Sequence, residues 1–571
     1  MDRQAILTSV KARPEVSTLI IGGGINGIGT FRDLALNGID VLLIDQGDFC
    51  SGASAASSHM AHGGLRYLEN GEFRLVREAV LERNRLLQNA PHLVKPLPTT
   101  IPIFSRFSGL LNAPLKFLGW LDKPGQRGSL VIRIGLIIYE AFAGKKRFLP
   151  RHRFINKEKS IERWPHLHPG LLKSATYYDG AIVNPERLAL ELILDAEQEN
   201  PRAHALNYAS LVGVRNESVV WRDETSGQLY ECKPKMVINA TGPWIDEVNR
   251  LLGFSTHHIG GTKGSHLVLD NPLLRHEIGE HEFFFENDDG RIVLIFPLFN
   301  RVLVGTSDLV FDSPEDARCT EVEVDYFLRM IKRIFPGIRV GKDQIVFRYS
   351  GVRPLAFDAQ KSPGQVTRDH QIQVLDSILT GLPFPIFSLV GGKWTTYRAF
   401  SEQMTDKALH QLGILRKKST RDLPIGGARG LPHQNKELTQ YIDSLSAETG
   451  LTHEHIQVLF DRYGCRCGEI AEYIILGDDQ PITVPFNGTR PTYPNYSHRE
   501  VAYLSQNEKV VHLDDLILRR TMLAMLGQVT RVLIDEIAGI AGTALDWDLD
   551  RKKYESERMT SILADRHGVR V

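Results

Sequence analysis

Residues 17–21 read Ser-Thr-Leu-Ile-Ile and run directly into Gly22-Gly23-Gly24-Ile25-Asn26-Gly27. The apolar, β-branched run predicts a buried parallel strand. Glycines follow it in G-x-G-x-x-G register at Gly22, Gly24 and Gly27. A helical stretch over 28–36 comes next, with Gly38 placed to end it, and then a second buried strand over 41–44 that closes on Asp45. From Gly22 to Asp45 is 45 − 22 = 23 positions, close to the ~20-residue offset at which an acid meets ribose hydroxyls. Gly22 permits the tight turn, Gly24 lets the backbone approach a pyrophosphate, and Gly27 lets helix and strand pack closely. The helix N-terminus offers unpaired N–H groups to phosphate. The lone glycine pattern is weak; strand, turn, helix, strand and acid together predict a dinucleotide site. An acid at Asp45 disfavours a 2′-phosphate and therefore NADP. The unit alone leaves NAD and FAD open.

The chain has 571 residues with Lys+Arg 68 against Asp+Glu 68; 42% of residues are hydrophobic and 24% charged. That length suits two to four domains, and the composition excludes disordered, collagenous and disulfide-scaffold classes. Zero net charge argues against non-specific nucleic-acid binding. The five cysteines are scattered, and Cys465-x-Cys467 lacks the second pair of a zinc site, so no metal is expected and a reduced, cytosolic setting fits. Residues 1–17 are polar and carry no secretory apolar stretch. The most apolar stretch, 130–143, is interrupted by Arg133 and Glu140; it is too short to span a bilayer but could lie on one.

Two later segments repeat the strand-to-glycine pattern. Residues 235–240, Lys-Met-Val-Ile-Asn-Ala, lead into Thr241-Gly242-Pro243-Trp244, and residues 387–390 lead into Gly391-Gly392-Lys393-Trp394-Thr395-Thr396-Tyr397-Arg398. Either alone reads as an ordinary turn. As a set they resemble the two-dinucleotide-binding-domain flavoproteins. Ser54 to Ser58 in a small-residue loop, His62-Gly63-Gly64-Leu65-Arg66-Tyr67-Leu68-Glu69, Thr262 to His266, Gly305 to Asp308 and Tyr349-Ser350-Gly351-Val352-Arg353-Pro354-Leu355 narrow the match. In order from about residue 15 to 400, the chain resembles the FAD-dependent, quinone-reducing sn-glycerol-3-phosphate dehydrogenases.

The resemblance implies an α/β fold with an inserted α+β substrate domain and a C-terminal helical domain. The expected FAD-binding domain spans 15–416 in pieces (15–100, 170–255 and 345–416), with the substrate domain in 100–170 and 256–344, and the helical domain in 425–571. It implies FAD held by Gly22, Gly24, Asn26, Gly27, Asp45, Ser54, Ser57, Ser58, Gly63, Ala240, Thr241, Gly242, Gly392, Lys393 and Thr395. A polyol phosphate as substrate, a membrane quinone as acceptor and peripheral attachment to the inner face of the cytoplasmic membrane follow from the same likeness. No nucleic-acid partner is expected, and a homodimer is an open option.

The residues allow a chemical reading beside the name. A polyol phosphate brings a dianion, which calls for several cations; Arg66, Arg353 and Lys393, with Tyr67, sit in the glycine-rich motifs where loops carry function. Oxidising the alcohol needs a base near neutral pH, and of 20 histidines only His62 and His266 fall in motifs. His62 is the preferred base, while Arg353 is placed to polarise the alcohol oxygen. The run His59-Met60-Ala61 departs from the family pattern of a basic residue and a larger aliphatic before this histidine. That leaves glycerol 3-phosphate and a longer relative such as erythritol phosphate both in view. Sequence does not separate a dehydrogenase from a peroxide-forming oxidase of the same fold, and a flavin-binding scaffold that has lost its chemistry is the alternative from another class.

Elsewhere, 73–87 has the spacing of an amphipathic helix, and 280–304 reads as a β meander. Residues 104–143 mix aromatic and aliphatic residues with Lys and Arg, which fits either a core helix pair or an interfacial patch. Residues 426–432 read as a linker, followed by helices over 437–445, 454–463, 469–475, 513–526 and 529–541. Cys50, near the small-residue loop, reads as a small buried thiol.

Overall fold

The computed structural model describes residues 3–68, 71–105, 129–142, 148–287, 292–358, 369–432, 434–483 and 496–571, without the side chains of Arg66 and Asn435. Its first sheet has six strands in the order Gln371–Leu375, Ile386–Val390, Val237–Asn239, Thr18–Ile21, Val41–Ile44, Ala203–Leu206. Every neighbouring pair is parallel except the antiparallel edge strand Gln371–Leu375. Thr18–Ile21 and Val41–Ile44 are buried throughout because both sheet faces are covered. Ile20, Val41 and Leu43 meet the helices Ile25–Leu36, Pro185–Glu199 and Tyr397–Leu412 on one face. Leu19, Ile21, Leu42 and Ile44 meet Val219, Trp221 and Tyr230 of a four-stranded sheet on the other.

A second, ten-stranded sheet carries the inserted region. The meander Glu282–Glu286, Ile292–Leu298, Arg301–Gly305 forms as its sequence predicts. The strand Val94–Ile103 crosses the expected boundary at residue 100 and belongs wholly to this sheet, as do Lys173–Ile182 and Ile345–Arg353. Three prolines obscure that strand in the sequence. Pro96, Pro98 and Pro102 sit in even register, so all three lack an N–H on the same edge, where the neighbour Glu282–Glu286 pairs only with Thr99 and Thr100.

The amphipathic helix forms as Phe73–Asn89 and packs Val76 and Val80 against Ile132, Leu136 and Tyr139 of the helix Ser129–Phe142. Most of the stretch 104–143, which reads as either a core helix pair or an interfacial patch, lies outside the described residues; the described part is chiefly this second helix. Leu130, Ile134 and Ile137 lie exposed on its outer side.

The C-terminal region is helical, with Asn435–Thr449, His453–Tyr463, Cys467–Ile474, His498–Asn507, Arg531–Ala544 and Leu549–His567. The expected helix over 513–526 is instead a π-helical turn, Asp515–Arg520, with Thr521 already extended. The 426–432 linker is a pinned connection rather than a loose one. Gly426 N–H donates to Asp195 at 3.2 Å and Gly427 N–H to Glu191 at 3.1 Å, both carboxylates being buried. The helical region docks on the large sheet through Val268, Leu294, Phe296 and Phe347.

Candidate active site

A cavity of about 1720 Å³ runs between the two sheets and under the C-terminal helices. Gly22, Gly24 and Asn26 line it, and Gly22 takes φ +110. A Cβ there would lie 2.6 Å from the Ala240 carbonyl carbon, so only glycine lets the two strand ends approach. Gly27 is absent from the lining and serves packing, since a Cβ would strike the Gly22 carbonyl oxygen. Asp45 lines the cavity and accepts from Gly23 N–H at 2.6 Å and Gly47 N–H at 2.8 Å. Burial pushes its pKa up to about 6. Ser54 Oγ accepts from Ile25 N–H at 3.0 Å in the first turn of the helix, and Trp394 Nε1 donates to the Ser54 carbonyl at 2.9 Å. Ser57, Ser58, Ala240, Thr241 and Gly242 complete this wall.

At the other end, Gly392, Lys393, Thr395, His62 and Tyr67 line the cavity. Thr395 Oγ1 accepts from His62 N–H at 3.0 Å, joining the first motif to the last across 333 positions. Asn26 does the same, donating to the Gly391 carbonyl at 3.1 Å, while its own Oδ1 is buried without a hydrogen-bond partner. Lys393 Nζ is likewise buried without a hydrogen-bond partner and sits 3.9 Å from the centre of the Tyr67 ring. Arg353 Nη2 donates to Thr306 Oγ1 at 2.8 Å, and its Nη1 to the Ser307 carbonyl and Asp308 Oδ1, each at 3.2 Å. These contacts give the Gly305–Asp308 motif a task that its sequence alone did not reveal: aiming an arginine from a strand on the far side of Thr262–Leu269.

Three expectations change. Gly63 does not line the cavity; its N–H donates to Tyr139 Oη at 2.7 Å, and Tyr139 in turn donates to buried Asp179 at 2.5 Å. Arg83 Nη1 closes this cluster on Asp179 at 2.9 Å. Gly63 thus anchors the His62 turn from behind. His266 reaches the cavity, but its Nε2 is engaged with Ser58 Oγ at 2.8 Å and its ring stacks on Tyr349. Burial, and then the nearby Arg353, push its pKa well below the ordinary histidine range, and its Nε2 is committed to Ser58 rather than open to the cavity. Of His59-Met60-Ala61, only Met60 faces the cavity; His59 is fully buried behind it. The Arg66 side chain lies outside the described residues.

These features fit a long dinucleotide with a flavin-sized end. An acid is set for a ribose, a glycine turn and helix N-terminus for a pyrophosphate, and an unsatisfied amide oxygen and ammonium stand beside the far end. Cys50 is buried, its thiol pKa raised well above the ordinary value by burial and nearby acids. Among the described residues no group of three or more His, Cys, Asp or Glu is placed to hold a metal.

Comparison with known proteins places these features in context. Residues 17–373 match the family model described as FAD dependent oxidoreductase, and residues 418–552 match the C-terminal domain of alpha-glycerophosphate oxidase. A protein of Synechocystis sp. named glycerol-3-phosphate dehydrogenase is 34% identical, covering 92% of each chain. One from Brucella abortus named D-erythritol 1-phosphate dehydrogenase is 29% identical, over 89% of this chain and 95% of its own. The crystal structure of a Bacillus halodurans glycerol-3-phosphate dehydrogenase complexed with FAD superposes with a TM-score of 0.73 at 21% identity, covering 99% of this chain and 97% of the other.

Proposed function

Because the chain belongs to the FAD-dependent oxidoreductase family, and to its glycerol-3-phosphate dehydrogenase branch, we propose that it oxidises sn-glycerol 3-phosphate to dihydroxyacetone phosphate. The observation that carries the substrate reading is the buried Lys393 ammonium, which has no hydrogen-bond acceptor, in one cavity with Arg353 and His62. A buried cation without a hydrogen-bond acceptor is costly unless a ligand supplies one, and a phosphate dianion does so.

FAD, when bound, supplies the two-electron acceptor for the hydride leaving the alcohol carbon. Gly22, Gly24, Asn26, Asp45, Ser54, Ser57, Ser58, Ala240, Thr241, Gly242, Gly392 and Thr395 would hold it, with Gly27 and Gly63 acting through packing. Lys393, Arg353 and Tyr67 hold and orient the phosphate and alcohol, with Arg66 assigned to the same role by its motif. His62 takes the hydroxyl proton, and Thr395 and Gly63 fix the turn that carries it. Arg353 stabilises the developing alkoxide oxygen, its fork held at the required angle by Thr306 and Asp308.

We assign the electrons to a membrane quinone and the protein to the inner face of the cytoplasmic membrane. The exposed Leu130 (42%), Ile134 (52%) and Ile137 (52%) on the helix Ser129–Phe142 support that docking. Among the described residues no helix is long and apolar enough to cross a membrane.

Anaerobic bleaching of the flavin absorbance by a panel of phosphorylated polyols tests the reading. Rapid bleaching by sn-glycerol 3-phosphate is expected. Preference for erythritol phosphate would keep the mechanism and trace the substrate to the Met60 wall. Peroxide formed stoichiometrically in air would replace the quinone by oxygen, and a flavin that no polyol phosphate bleaches would overturn the enzyme reading.

A further inference from the structure

The C-terminal helical domain holds a buried charge cluster against the wall of the cofactor site. Asp48, three positions after Asp45, has a fully buried side chain. It accepts from Arg519 Nε at 2.5 Å, from Arg520 Nη1 and Nη2 at 2.6 and 2.9 Å, and from Asn207 Nδ2 at 3.0 Å. Burial alone would raise its pKa; Arg520 and Arg519 overcome this and hold the carboxyl well below its ordinary range. Arg519 also donates to Asp514 at 2.8 Å and Asp515 at 2.6 Å, and Arg520 Nε to the Glu508 carbonyl at 3.0 Å.

The cluster is linked to the ribose-facing acid by consecutive hydrogen bonds. Tyr208 Oη donates to Asp515 at 2.5 Å and Tyr208 N–H to the Gly47 carbonyl at 3.0 Å, while Gly47 N–H donates to Asp45. Ala209 N–H donates to the Asp45 carbonyl at 2.6 Å. An apolar contact would have sufficed to dock the domain, and it exists elsewhere on the large sheet. Buried ion pairs add little net stability, but they fix one geometry, and breaking one partner away is strongly destabilising. Both arginines come from the π-helical turn Asp515–Arg520, a deviation that recurs at functional sites.

We propose that Arg519 and Arg520 of the C-terminal domain are positioning residues for the adenosine half of FAD, acting through Asp48 on the loop that presents Asp45. The inference rests on the FAD site of this family and is independent of which polyol is oxidised.

The test compares the affinity of the apoprotein for FAD with that for its 2′-deoxyadenosine analogue, which lacks the hydroxyl an acid at Asp45 accepts from. Arg520→Met is expected to raise the FAD Kd about 10-fold while moving the analogue's Kd less than about 2-fold, so that discrimination between the two collapses. Arg520→Lys should recover part of it. Equal weakening of both ligands, or no change in either, overturns the proposal. Should Arg520→Met fail to fold, Tyr208→Phe removes only the link to Asp515 and should weaken FAD alone by about 3-fold; equal or absent effects there are equally fatal. Wild-type protein that takes up neither ligand would sink the cofactor reading itself.

Discussion

The two ends of the cavity hold charge in opposite ways. At the end that we assign to the adenosine, Asp48 is fully buried and paired with both Arg519 and Arg520, and Arg519 also holds Asp514 and Asp515. At the substrate end, Lys393 has no hydrogen-bond partner and Arg353 keeps 30% of its side chain exposed, held by a hydroxyl, a carbonyl and one carboxylate. A resident cofactor is served by a rigid, self-satisfied wall, because nothing there changes during turnover. A dianion that arrives and leaves is served by an ammonium that the protein leaves without a hydrogen-bond acceptor, beside an arginine that is held in place yet partly exposed.

The largest break in that contrast should come from His62→Ala, which removes the proposed base without touching the opposite wall. Turnover with sn-glycerol 3-phosphate is expected to fall about 10²–10⁴-fold while the purified protein keeps its flavin absorbance. Unchanged turnover would remove His62 from its role. Lys393→Met should cost about 10–100-fold in kcat/KM, carried mainly by KM if its work is to bind the phosphate; steady-state kinetics separate the two.

The adenosine end is sharpened by pH. With the Asp45 pKa raised from 3.8 to about 6, the folded apoprotein holds that proton more tightly than the unfolded chain. The stability this gives is fully present below pH 3.8 and is lost as pH rises through about 6. Affinity for the ribose moves the other way, because the ionised carboxylate is the better acceptor. FAD binding should therefore tighten by about 10-fold between pH 5 and pH 7, and Asp45→Asn should flatten both trends in titrations and melting curves. The smallest effect belongs to Asp308→Asn. Its pair with Arg353 is part-exposed at 3.2 Å, so about a 3-fold loss in kcat is expected, and a variant as slow as His62→Ala would mean that Asp308 does more than aim the arginine.

Much of the first end was legible because its signals are local. Thr18 to Asp45 is one uninterrupted strand–turn–helix–strand unit, and each step has its own residue signature. The substrate end was legible only through motifs that lie far apart, such as His62 and Thr395, which the fold joins. The sheet boundary near residue 100 is hidden in the sequence because a strand with three prolines imitates a loop. Gly63 resembles a cofactor contact in sequence because nothing near it in the chain announces Tyr139, Asp179 and Arg83 behind it. The helices His498–Asn507 and Leu549–His567 carry weak sequence signals: the latter is dominated by charged residues, with few buried apolar ones to mark its face. The pairing of Asp48 with Arg519 spans 471 positions, and no periodicity carries information that far.

That same separation has a consequence for synthesis. A ribosome adding about 5–20 residues per second makes Asp48 roughly 24 to 94 seconds before it reaches the two arginines. Through that interval the nascent nucleotide-binding layer carries an acid whose counter-ions do not yet exist. A chain ending before residue 519 would keep its glycine turn and lack both arginines that hold Asp48, so we expect it to take up the flavin nucleotide more weakly than the full-length protein.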